Sequence, residues 1–301
     1  MTSNLSLADL GWRPFFDQQL SDAERETRVP VRVTAVHRDR LRVQGERVDQ
    51  LVPISPSMTA ENEARATIGD WLLLDRESLR IHRLVKRLSL FKRRAPGTGR
   101  QVQLIAANVD TVFIVSSCNQ DFNIARLERY LVLAREADVW PVVVLTKADL
   151  CNEPDVFDRE ARRLQHGLHV EVLNALEPPS AECLAPFCGP GQTVAFVGSS
   201  GVGKSTLINT LLGRDKIATG EIREDDDKGR HTTSARALHR LAQGGWLLDT
   251  PGMREIQLTD SEDGLSEVFD DIERLAAGCR FSNCTHGSEP GCAVQAAVAD
   301  G

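Results

Sequence analysis

Apolar and polar residues alternate in short runs between positions 29 and 84 of the chain. Such alternation places the apolar side chains on one face of a β-strand, because successive side chains point to opposite faces. Turn-forming residues at 38–40 and 44–46 separate successive runs. The apolar positions of the first runs are Val31, Val33, Ala35, Leu41 and Val43. The pattern predicts a small all-β unit, which follows an amphipathic opening around Trp12.

Beyond this unit the pattern changes. Residues 92–100 are basic and contain glycine and proline, which is the composition of an exposed linker. Short apolar runs then alternate with longer amphipathic stretches, as is typical of a mostly parallel sheet covered by helices. The predicted strands are 111–116, 142–145, 170–173 and 193–197. The predicted helices are 124–137 and a second stretch that ends near residue 165.

The composition favours a soluble protein with more than one modest core. The chain has 301 residues, of which 41% are apolar and 26% are charged. No uninterrupted apolar stretch approaches the roughly 18 residues of a membrane span, and residues 1–10 hold no basic cluster typical of a leader. We therefore expect a cytoplasmic protein with no membrane partner. As a separate expectation, the protein is a monomer.

The net charge of −7 conceals a local excess of positive charge. Within the stretch 76–100, Glu77 is the only acidic residue. The basic residues of this stretch are Arg76, Arg80, Arg83, Lys86, Arg87, Lys92, Arg93, Arg94 and Arg100. The stretch is a candidate phosphate-facing surface for nucleic acid, and a solvated charged face is the alternative.

A phosphate-binding sequence lies at residues 198–205, which fit the pattern G-x-x-x-x-G-K-S. It follows the apolar run 193–197 and precedes a helix-like stretch, which is the strand–loop–helix context that such a loop requires. Its glycines allow backbone N–H groups to surround phosphates, while Lys204 reaches the β- and γ-oxygens and Ser205 ligates Mg²⁺. A plain glycine-rich turn is the alternative. The predicted contact residues are Gly198, Ser199, Ser200, Gly201, Val202, Gly203, Lys204, Ser205 and Thr206.

A second phosphate-side motif, Asp249-Thr250-Pro251-Gly252, ends a short apolar run. The Asp249 carboxylate can hold the hydration shell of Mg²⁺, and Gly252 can offer its N–H to the γ-phosphate. Because Asp-x-x-Gly is common, a structural turn is the alternative. The position of the motif downstream of the phosphate loop favours the metal-side interpretation.

Two short motifs predict which base the nucleotide carries. Thr146-Lys147-Ala148-Asp149 follows a predicted strand, and the Asp149 carboxylate can accept both the ring N–H and the exocyclic amine of guanine. Adenine lacks that pair of donors. The stem of Lys147 would pack along the base, and Asn174-Ala175, after the next strand, can present a backbone N–H to the guanine carbonyl. GTP is therefore the predicted ligand, and an unrelated P-loop ATPase or kinase is the alternative that Asp149 disfavours.

The order of these motifs is unusual. In ordinary GTPases the phosphate loop comes first and the base-reading motifs come last. Here Asp149 and Asn174 precede Lys204, which precedes Thr233 and Asp249. Because the ends of such a domain can lie close together, relinking them preserves the site, and the order indicates a circularly permuted domain.

On these motifs the chain resembles the RsgA (YjeQ) family of circularly permuted GTPases, whose activity depends on the small ribosomal subunit. The similar segments are Asn108-Val109-Asp110, Arg129-Tyr130-Leu131, the phosphate loop, Gly229-Arg230-His231-Thr232-Thr233, residues 249–255 and residues 279–286. The resemblance implies late maturation of that subunit as the process and its rRNA as a partner. Two positions depart from the GTPase pattern, since Thr146 stands where many GTPases have Asn and Asn174 stands where Ser is usual. The chain also ends before the helical extension that many relatives carry.

The resemblance implies a multidomain α/β architecture. Residues 1–88 would form an N-terminal segment and an OB-fold β-barrel. Residues 89–258 would form the circularly permuted P-loop GTPase, with a mostly parallel sheet and helices on both faces. Residues 259–301 would form a helical zinc-binding domain.

The segment 224–233 is polar and turn-rich, which is the composition of a switch that orders around a ligand. Thr233, or alternatively Thr232, would close on Mg²⁺ and the γ-phosphate. Met253 follows Asp-Thr-Pro-Gly, so no glutamine stands where Ras-like enzymes orient the attacking water, and unassisted hydrolysis should be slow. We hypothesise that His231 contacts that water, and a solvated loop histidine is the alternative. The predicted catalytic residues are His231, Lys204 and Thr233. The missing glutamine supports one rival interpretation, a GTP-binding scaffold without enzymatic activity.

Four potential metal ligands lie close together near the C-terminus. Their spacing, C-x4-C-x-H-x5-C, supplies three thiolates and one imidazole, which suits a closed tetrahedral structural zinc site. The ligands are Cys279, Cys284, His286 and Cys292. Unconnected thiols are the alternative. Because so short a segment has little core of its own, metal binding would supply much of its folding free energy. The remaining cysteines are expected to be reduced thiols.

Overall fold

The computed structural model describes residues 5–54, 65–94, 102–212, 237–249, 275–281, 284–287 and 289–300. These residues form an eleven-stranded mixed sheet, a two-stranded hairpin and a set of helices. Among the described helices, none has the length and apolar character needed to cross a bilayer.

Residues 28–84 form an antiparallel β unit, which confirms the prediction from the alternating pattern. Its strands are β1 (Arg28–Val36), β2 (Arg40–Gly45), β3 (Val48–Pro53), β4 (Trp71–Asp75) and β5 (Ile81–Leu84). β1 pairs with β2 and with β4, placing Val33 opposite Val43 and Val31 opposite Leu72. β2 pairs with β3, and β4 with β5. Alternate apolar residues form the core of the unit, namely Val31, Val33, Leu41, Val43, Val52, Leu72 and Leu74.

A short N-terminal segment packs against this unit. Its helices are α1 (Pro14–Asp17) and α2 (Asp22–Thr27). Trp12 meets Trp71 of β4 edge-on, with ring centroids 4.9 Å apart, and the ring of Phe16 lies 5.9 Å from Trp71. Such aromatic pairs add to the free energy of area burial. The apolar residues of the opening are therefore part of the main core.

Residues 90–107 contain a β-hairpin where the sequence predicts an exposed linker. β6 (Leu90–Arg94) pairs antiparallel with β7 (Val102–Ala107). Phe91 and Arg93 are both buried, and Arg93 Nε donates to Gln103 Oε1 at 2.9 Å. The linker prediction was wrong for residues 92–94, which belong to β6. Arg93 illustrates the reason, because a long basic side chain can lay its stem against a core while its head forms hydrogen bonds.

The central part of the chain is a mostly parallel sheet. Its strands are β8 (Thr111–Ser117), β9 (Trp140–Thr146), β10 (His169–Val172), β11 (Thr193–Gly198), β12 (Ala237–Arg240) and β13 (Trp246–Asp249). Their order is β10-β9-β8-β11-β13-β12, and every neighbouring pair is parallel except β12 with β13. The four strands predicted from apolar runs are all present. Burial on both faces explains why they appear in the sequence as continuous apolar runs.

Helices cover both faces of this sheet. They are α3 (Ile124–Glu136), α4 (Pro154–Arg162) and α5 (Lys204–Leu212). Ile114 of β8 joins the core that contains Leu131 of α3, whereas the next residue back, Phe113, joins the core that contains Leu207 of α5. Because successive side chains of a strand alternate, α3 and α5 lie on opposite faces.

The β unit and the parallel sheet are continuous, because β1 also pairs with β12. Arg32 of β1 is fully buried at this junction. Its guanidinium donates to Leu10 O at 2.7 Å, to Asn108 O at 3.2 Å and to Thr193 Oγ1 at 2.7 Å. Burial lowers the pKa of Arg32 to about 10, so the side chain is charged at neutral pH. One buried cation thus joins the N-terminal segment, the β unit and the first residue of β11.

The basic stretch 76–100 is not an unopposed positive surface. Arg83 Nε donates to Glu24 Oε1 at 2.6 Å, and Arg87 Nε donates to Asp70 Oδ1 at 2.7 Å. The hydrogen bond from Arg83 lowers the pKa of Glu24 to about 2. Both acids lie outside the stretch in sequence, so counting charges within it missed them. Arg83 and Arg87 are therefore paired with carboxylates, and a phosphate-facing role for the basic stretch stays a prediction.

Candidate nucleotide site and metal centre

The motifs predicted to contact a nucleotide follow strands that end at one edge of the sheet. β8, β9, β10 and β11 are parallel neighbours, so their carboxyl ends meet at that edge. Residues 198–205 begin at the end of β11, residues 146–149 at the end of β9, and residues 174–175 just beyond β10. This edge is where open α/β sheets bind ligands.

The first turn of the phosphate loop depends on glycine. Gly198 has a φ of 139°, and a Cβ at this position would clash with the backbone oxygen of Val115 on β8. Gly201, with a φ of 81°, lies in the left-handed region that other residues avoid. The loop then ends where α5 begins at Lys204, and the N-terminus of a helix favours an anion.

Lys204 is buried at the centre of this loop. Its Nζ donates to Gly198 O at 2.8 Å and also to Ser199 O. Both acceptors are backbone carbonyl oxygens, so these two hydrogen bonds hold the ammonium at the loop. A phosphate is the anion that such a loop can surround. Ser205 and Thr206 lie in the first turn of α5, so the predicted strand–loop–helix context is present.

Thr146 connects the base-reading motif to the phosphate loop. The side chain is fully buried, and its Oγ1 lies 2.5 Å from Val202 O and 3.1 Å from Ser116 O. A hydroxyl has one hydrogen, and the shorter distance favours the bond to Val202. Lys147 follows with a left-handed φ of 59°, and Ala148–Leu150 forms a 3₁₀ turn that carries Asp149. The threonine that departs from the common GTPase pattern thus donates directly to the phosphate loop.

The second base-reading motif is held by its own turn. Asn174 N donates to Ser180 Oγ at 3.0 Å, and Asn174 Oδ1 accepts from Leu176 N at 3.0 Å. Ala175 between them is buried. A 3₁₀ segment, Pro178–Phe187, follows and supplies Ser180. At this position, where serine is usual, Asn174 closes a tight turn by accepting a hydrogen bond from the backbone two residues further on, as Asn commonly does.

Of the remaining predicted catalytic and magnesium residues, the structure describes Asp249. His231, Thr232, Thr233 and Gly252 lie outside the described residues. Asp249 is the last residue of β13, which runs parallel to β11, so its backbone reaches the same edge of the sheet as the phosphate loop.

The four predicted metal ligands come together in space. The ligand atoms of Cys279, Cys284, His286 and Cys292 all lie within 4.8 Å of one another. His286 Nδ1 lies 3.4 Å from Cys292 Sγ and 3.6 Å from Cys279 Sγ, while the two sulfur atoms are 3.8 Å apart. These separations suit four ligands around one tetrahedral ion, with His286 bonding through Nδ1. Three sulfurs and one nitrogen are the donors that zinc prefers in structural sites.

Neighbouring residues fix the loop that carries the histidine. Glu289 accepts from Thr285 N at 3.1 Å and from Gly287 N at 2.9 Å, and Gln295 Nε2 donates to His286 O at 2.7 Å. The last of these comes from α6 (Ala293–Asp300). The left-handed φ of His286, 59°, is therefore held from both sides. Such outer contacts orient metal ligands.

The remaining cysteines, Cys118, Cys151, Cys183 and Cys188, all lie in the described part of the chain and are free thiols, in agreement with the expectation. Cys118 and Cys188 are buried, and burial raises the pKa of Cys118 to about 11 and that of Cys188 to about 12. Both therefore remain protonated thiols at neutral pH.

Comparison with known families matches the description "RsgA GTPase" over residues 84–259 of the chain. That segment is more than half of the sequence and contains the phosphate loop and both base-reading motifs. The chain belongs to the RsgA GTPase family. As a member it is a GTP-hydrolysing enzyme, and membership excludes both the scaffold and the ATPase interpretations.

Relatives of this RsgA GTPase match it along its whole length. A Vibrio parahaemolyticus protein named "Small ribosomal subunit biogenesis GTPase RsgA 2" is 52% identical over 300 residues, which cover 100% of this chain and 82% of the relative. A Mesorhizobium japonicum protein with the name "Small ribosomal subunit biogenesis GTPase RsgA" is 50% identical over 302 residues, covering 99% of this chain and 86% of the relative.

Solved structures support the same fold. The crystal structure of YjeQ from Thermotoga maritima superposes with a TM-score of 0.66 at 26% identity, covering 91% of this chain and 92% of that one. The structure of YloQ, described as a circularly permuted GTPase, superposes with a TM-score of 0.63 at 23% identity, covering 93% and 91%. The permuted order of the motifs is thus the order of the family fold.

Sequence reasoning missed one residue beside the site of this RsgA GTPase. Arg126 of α3 contacts the hydroxyl of Ser199 in the phosphate loop, and its Nη1 also lies 3.2 Å from Asp121 Oδ1. Nothing in a lone helical arginine predicts such a contact. The available signal was the polar turn 117–123, because a turn at the carboxyl end of a strand next to β11 must lie near the loop.

Proposed function

We propose that this chain hydrolyses GTP to GDP and phosphate under stimulation by the small ribosomal subunit, and that it acts in late maturation of that subunit. One observation carries the proposal. The phosphate loop and two guanine-type motifs follow parallel strands that end at one edge of the sheet, and Thr146 bonds directly to the loop. The names of the relatives, which refer to small ribosomal subunit biogenesis, support the partner.

In this proposal the base and the phosphates have separate sets of ligands. Asp149 accepts from the guanine ring, Lys147 packs along the base, and Ala175 donates its N–H to the guanine carbonyl. Residues 198–206 surround the phosphates, with Lys204 on the β- and γ-oxygens. The full set of proposed GTP contacts is Thr146, Lys147, Ala148, Asp149, Asn174, Ala175, Gly198 to Thr206, and Gly252.

Magnesium and water would be held on the other side of the γ-phosphate. Ser205 and Thr233 would ligate Mg²⁺, with Asp249 on its hydration shell. Mg²⁺ would neutralise charge that develops on the phosphate oxygens. His231 would orient the attacking water in place of the glutamine that this chain lacks after Asp-Thr-Pro-Gly, where Met253 stands.

Two flanking modules would bind ribosomal RNA. We assign residues 1–88 to an OB-fold, 89–258 to the permuted GTPase and 259–301 to a zinc domain. Pairing of β1 with both β2 and β4 is the pairing an OB-fold uses, which supports the first assignment. The clustered ligands Cys279, Cys284, His286 and Cys292 support one structural zinc ion in the third. The protein would act as a cytoplasmic monomer.

The test is turnover of GTP and ATP by the purified protein, alone and with small ribosomal subunits, at one stated salt concentration because phosphate contacts depend on salt. Lys204→Ala is the control for site-dependent hydrolysis. The proposal predicts GTP turnover that rises at least about tenfold with the subunit, a change of about 1.4 kcal/mol in barrier height. Equal turnover with and without the subunit, with GTP still bound, would contradict the proposed partner.

A further inference from the structure

The turn between β8 and α3 is fixed beside the phosphate loop. β8 and β11 are parallel neighbours, with Val115 opposite Gly198, so the turn and the loop leave the sheet side by side. Ser117 Oγ donates to Asn119 Oδ1 at 2.8 Å, and the same oxygen accepts from Asp121 N at 2.9 Å. The turn therefore has a defined shape before α3 begins.

Arg126 projects from the first turn of α3 towards the loop. The side chain of Asn123 caps the helix by accepting from Arg126 N at 2.9 Å. The Nη1 atom of Arg126 lies 3.2 Å and 3.3 Å from the two oxygens of Asp121, and it also donates to Ser199 Oγ. Asp121 therefore holds the guanidinium in one orientation, in which it donates a hydrogen bond to Ser199.

Ser199 is bonded on two sides. Its hydroxyl accepts from Arg126, and its carbonyl accepts from Lys204 Nζ. The side chains of Arg126 and Asp121 are 35% and 38% exposed, so the ion pair between them contributes little to stability, about 0–1 kcal/mol. Because this ion pair adds so little to the free energy of folding, we look for the role of Arg126 in its contact with Ser199, which constrains the phosphate loop.

We propose that Arg126 is a positioning residue of the phosphate site, which acts through Ser199 to fix the carbonyl that holds Lys204. Phosphoryl transfer relies on donors that are placed before charge develops. An ammonium whose carbonyl partner can shift is less well placed for the γ-phosphate. Since this chain lacks the glutamine of Ras-like enzymes, placement of Lys204 carries more of the acceleration. The inference rests on the proposed assignment of residues 198–205 as the phosphate loop.

The predicted signature of this role is a loss in kcat with little change in KM. Misplacement of a catalytic group by a fraction of an ångström costs rate more than affinity, so Arg126→Ala should lower the kcat for GTP about tenfold and change KM by less than about threefold. Arg126→Lys keeps the positive charge and N–H donors on a single nitrogen but not the planar fork, and should retain an intermediate kcat. Ser199→Ala should match Arg126→Ala. The double variant should be no worse than either single one, because both remove the same contact.

A matched control is available on α4. Arg162 also pairs with an aspartate, Asp158, at 2.9 Å and donates to Val170 O, and the described residues show no contact between it and the phosphate loop. Arg162→Ala should leave kcat within about twofold of wild type. If Arg126→Ala fails to fold, Ser199→Ala removes the same contact by deleting one hydroxyl. Because Ser199 is itself a proposed GTP contact, its result is then read together with Arg126→Lys, which leaves residue 199 unchanged and should also lower kcat.

Three outcomes would overturn the inference: a kcat within twofold of wild type in Ser199→Ala, multiplicative losses in the double variant, or an equal loss in Arg162→Ala. Lys204→Ala separates this failure from failure of the phosphate-loop assignment. If Lys204→Ala abolishes hydrolysis and Ser199→Ala does not lower it, only the positioning role is wrong. If Lys204→Ala hydrolyses GTP normally, the assignment itself is wrong.

Discussion

Replacement of Thr146 by valine tests whether the base-reading motif and the phosphate loop act as one unit. Valine has nearly the same shape as threonine, and the change replaces the hydroxyl by a methyl group that cannot donate a hydrogen bond. The lost donor serves Val202 O, 2.5 Å away, in a fully buried position. A buried acceptor left without its partner costs about 1–3 kcal/mol. Because the single hydroxyl hydrogen serves one carbonyl at a time, we expect a cost in the lower half of this range.

A cost of about 1.4 kcal/mol has two measurable consequences. If this free-energy cost weakens nucleotide binding, the Kd for GTP rises about tenfold. If it falls on folding, it lowers Tm by about 3–6 °C for a domain of this size. Fluorescence titration with a GTP analogue and differential scanning calorimetry measure the two shares separately.

Two further variants make the experiment specific. Thr146→Asn restores a donor, as in many GTPases, and should recover most of the affinity. Thr111→Val removes a buried hydroxyl at the opposite end of the sheet, where the described residues show no side-chain hydrogen bond, and should change neither quantity. Wild-type affinity and Tm in Thr146→Val would refute the reasoning, as would an equal loss in Thr111→Val.

Three other perturbations have defined outcomes. Chelation of zinc, or Cys292→Ser, should release about one zinc per chain and unfold the C-terminal module, while subunit-independent GTP hydrolysis stays within about twofold of wild type. Metal analysis and circular dichroism measure these two changes. A zinc-free wild type with an unchanged melting curve would contradict the prediction. Arg32→Met leaves three buried acceptors without their donor and should cost about 2–4 kcal/mol in chemical denaturation, whereas an unchanged midpoint would show that the junction does not depend on this cation. Glu24→Gln tests pH dependence. The pKa of Glu24 is lowered to about 2, chiefly by its hydrogen bond from Arg83, so the stability this carboxylate contributes is present above pH 4.5 and is lost as pH falls towards 2. The Tm of wild type should therefore fall more steeply over that interval than the Tm of Glu24→Gln, and parallel curves would exclude the linkage.

Much of the central domain could be predicted from the sequence because its physics is local. Strands buried on both faces must be apolar throughout, which identified β8, β9, β10 and β11 within two residues. The phosphate loop was predictable because its glycines and lysine stand at fixed spacings. The clustering of four potential metal ligands was predictable for the same reason, since one short segment contains all of them.

The features that were missed depend on contacts between distant parts of the chain. The hairpin β6–β7 has no strong alternation, and Arg93 is basic yet buried. Glu24 and Asp70 neutralise arginines far along the sequence, so a local count of charge overstated the basic surface. The contact between Arg126 and Ser199 is of the same kind, because only the parallel pairing of β8 with β11 brings them together.

The central claim is that one GTP site is assembled from a base-reading motif that precedes its phosphate loop. The most direct test exchanges the base. Asp149 would accept from the ring N–H and the exocyclic amine of guanine, whereas xanthine carries a carbonyl in place of that amine and suits an amide donor. Turnover of GTP and XTP should therefore be measured for wild type and for Asp149→Asn.

We predict that wild type prefers GTP. Asp149→Asn should lose GTP turnover by at least about a hundredfold and gain activity with XTP. The reason is that a site built to hydrogen-bond one group strongly rejects an analogue that leaves its polar groups unpaired. If Asp149→Asn retains the wild-type preference for GTP, residues 146–149 do not read the base and the account of the site is wrong.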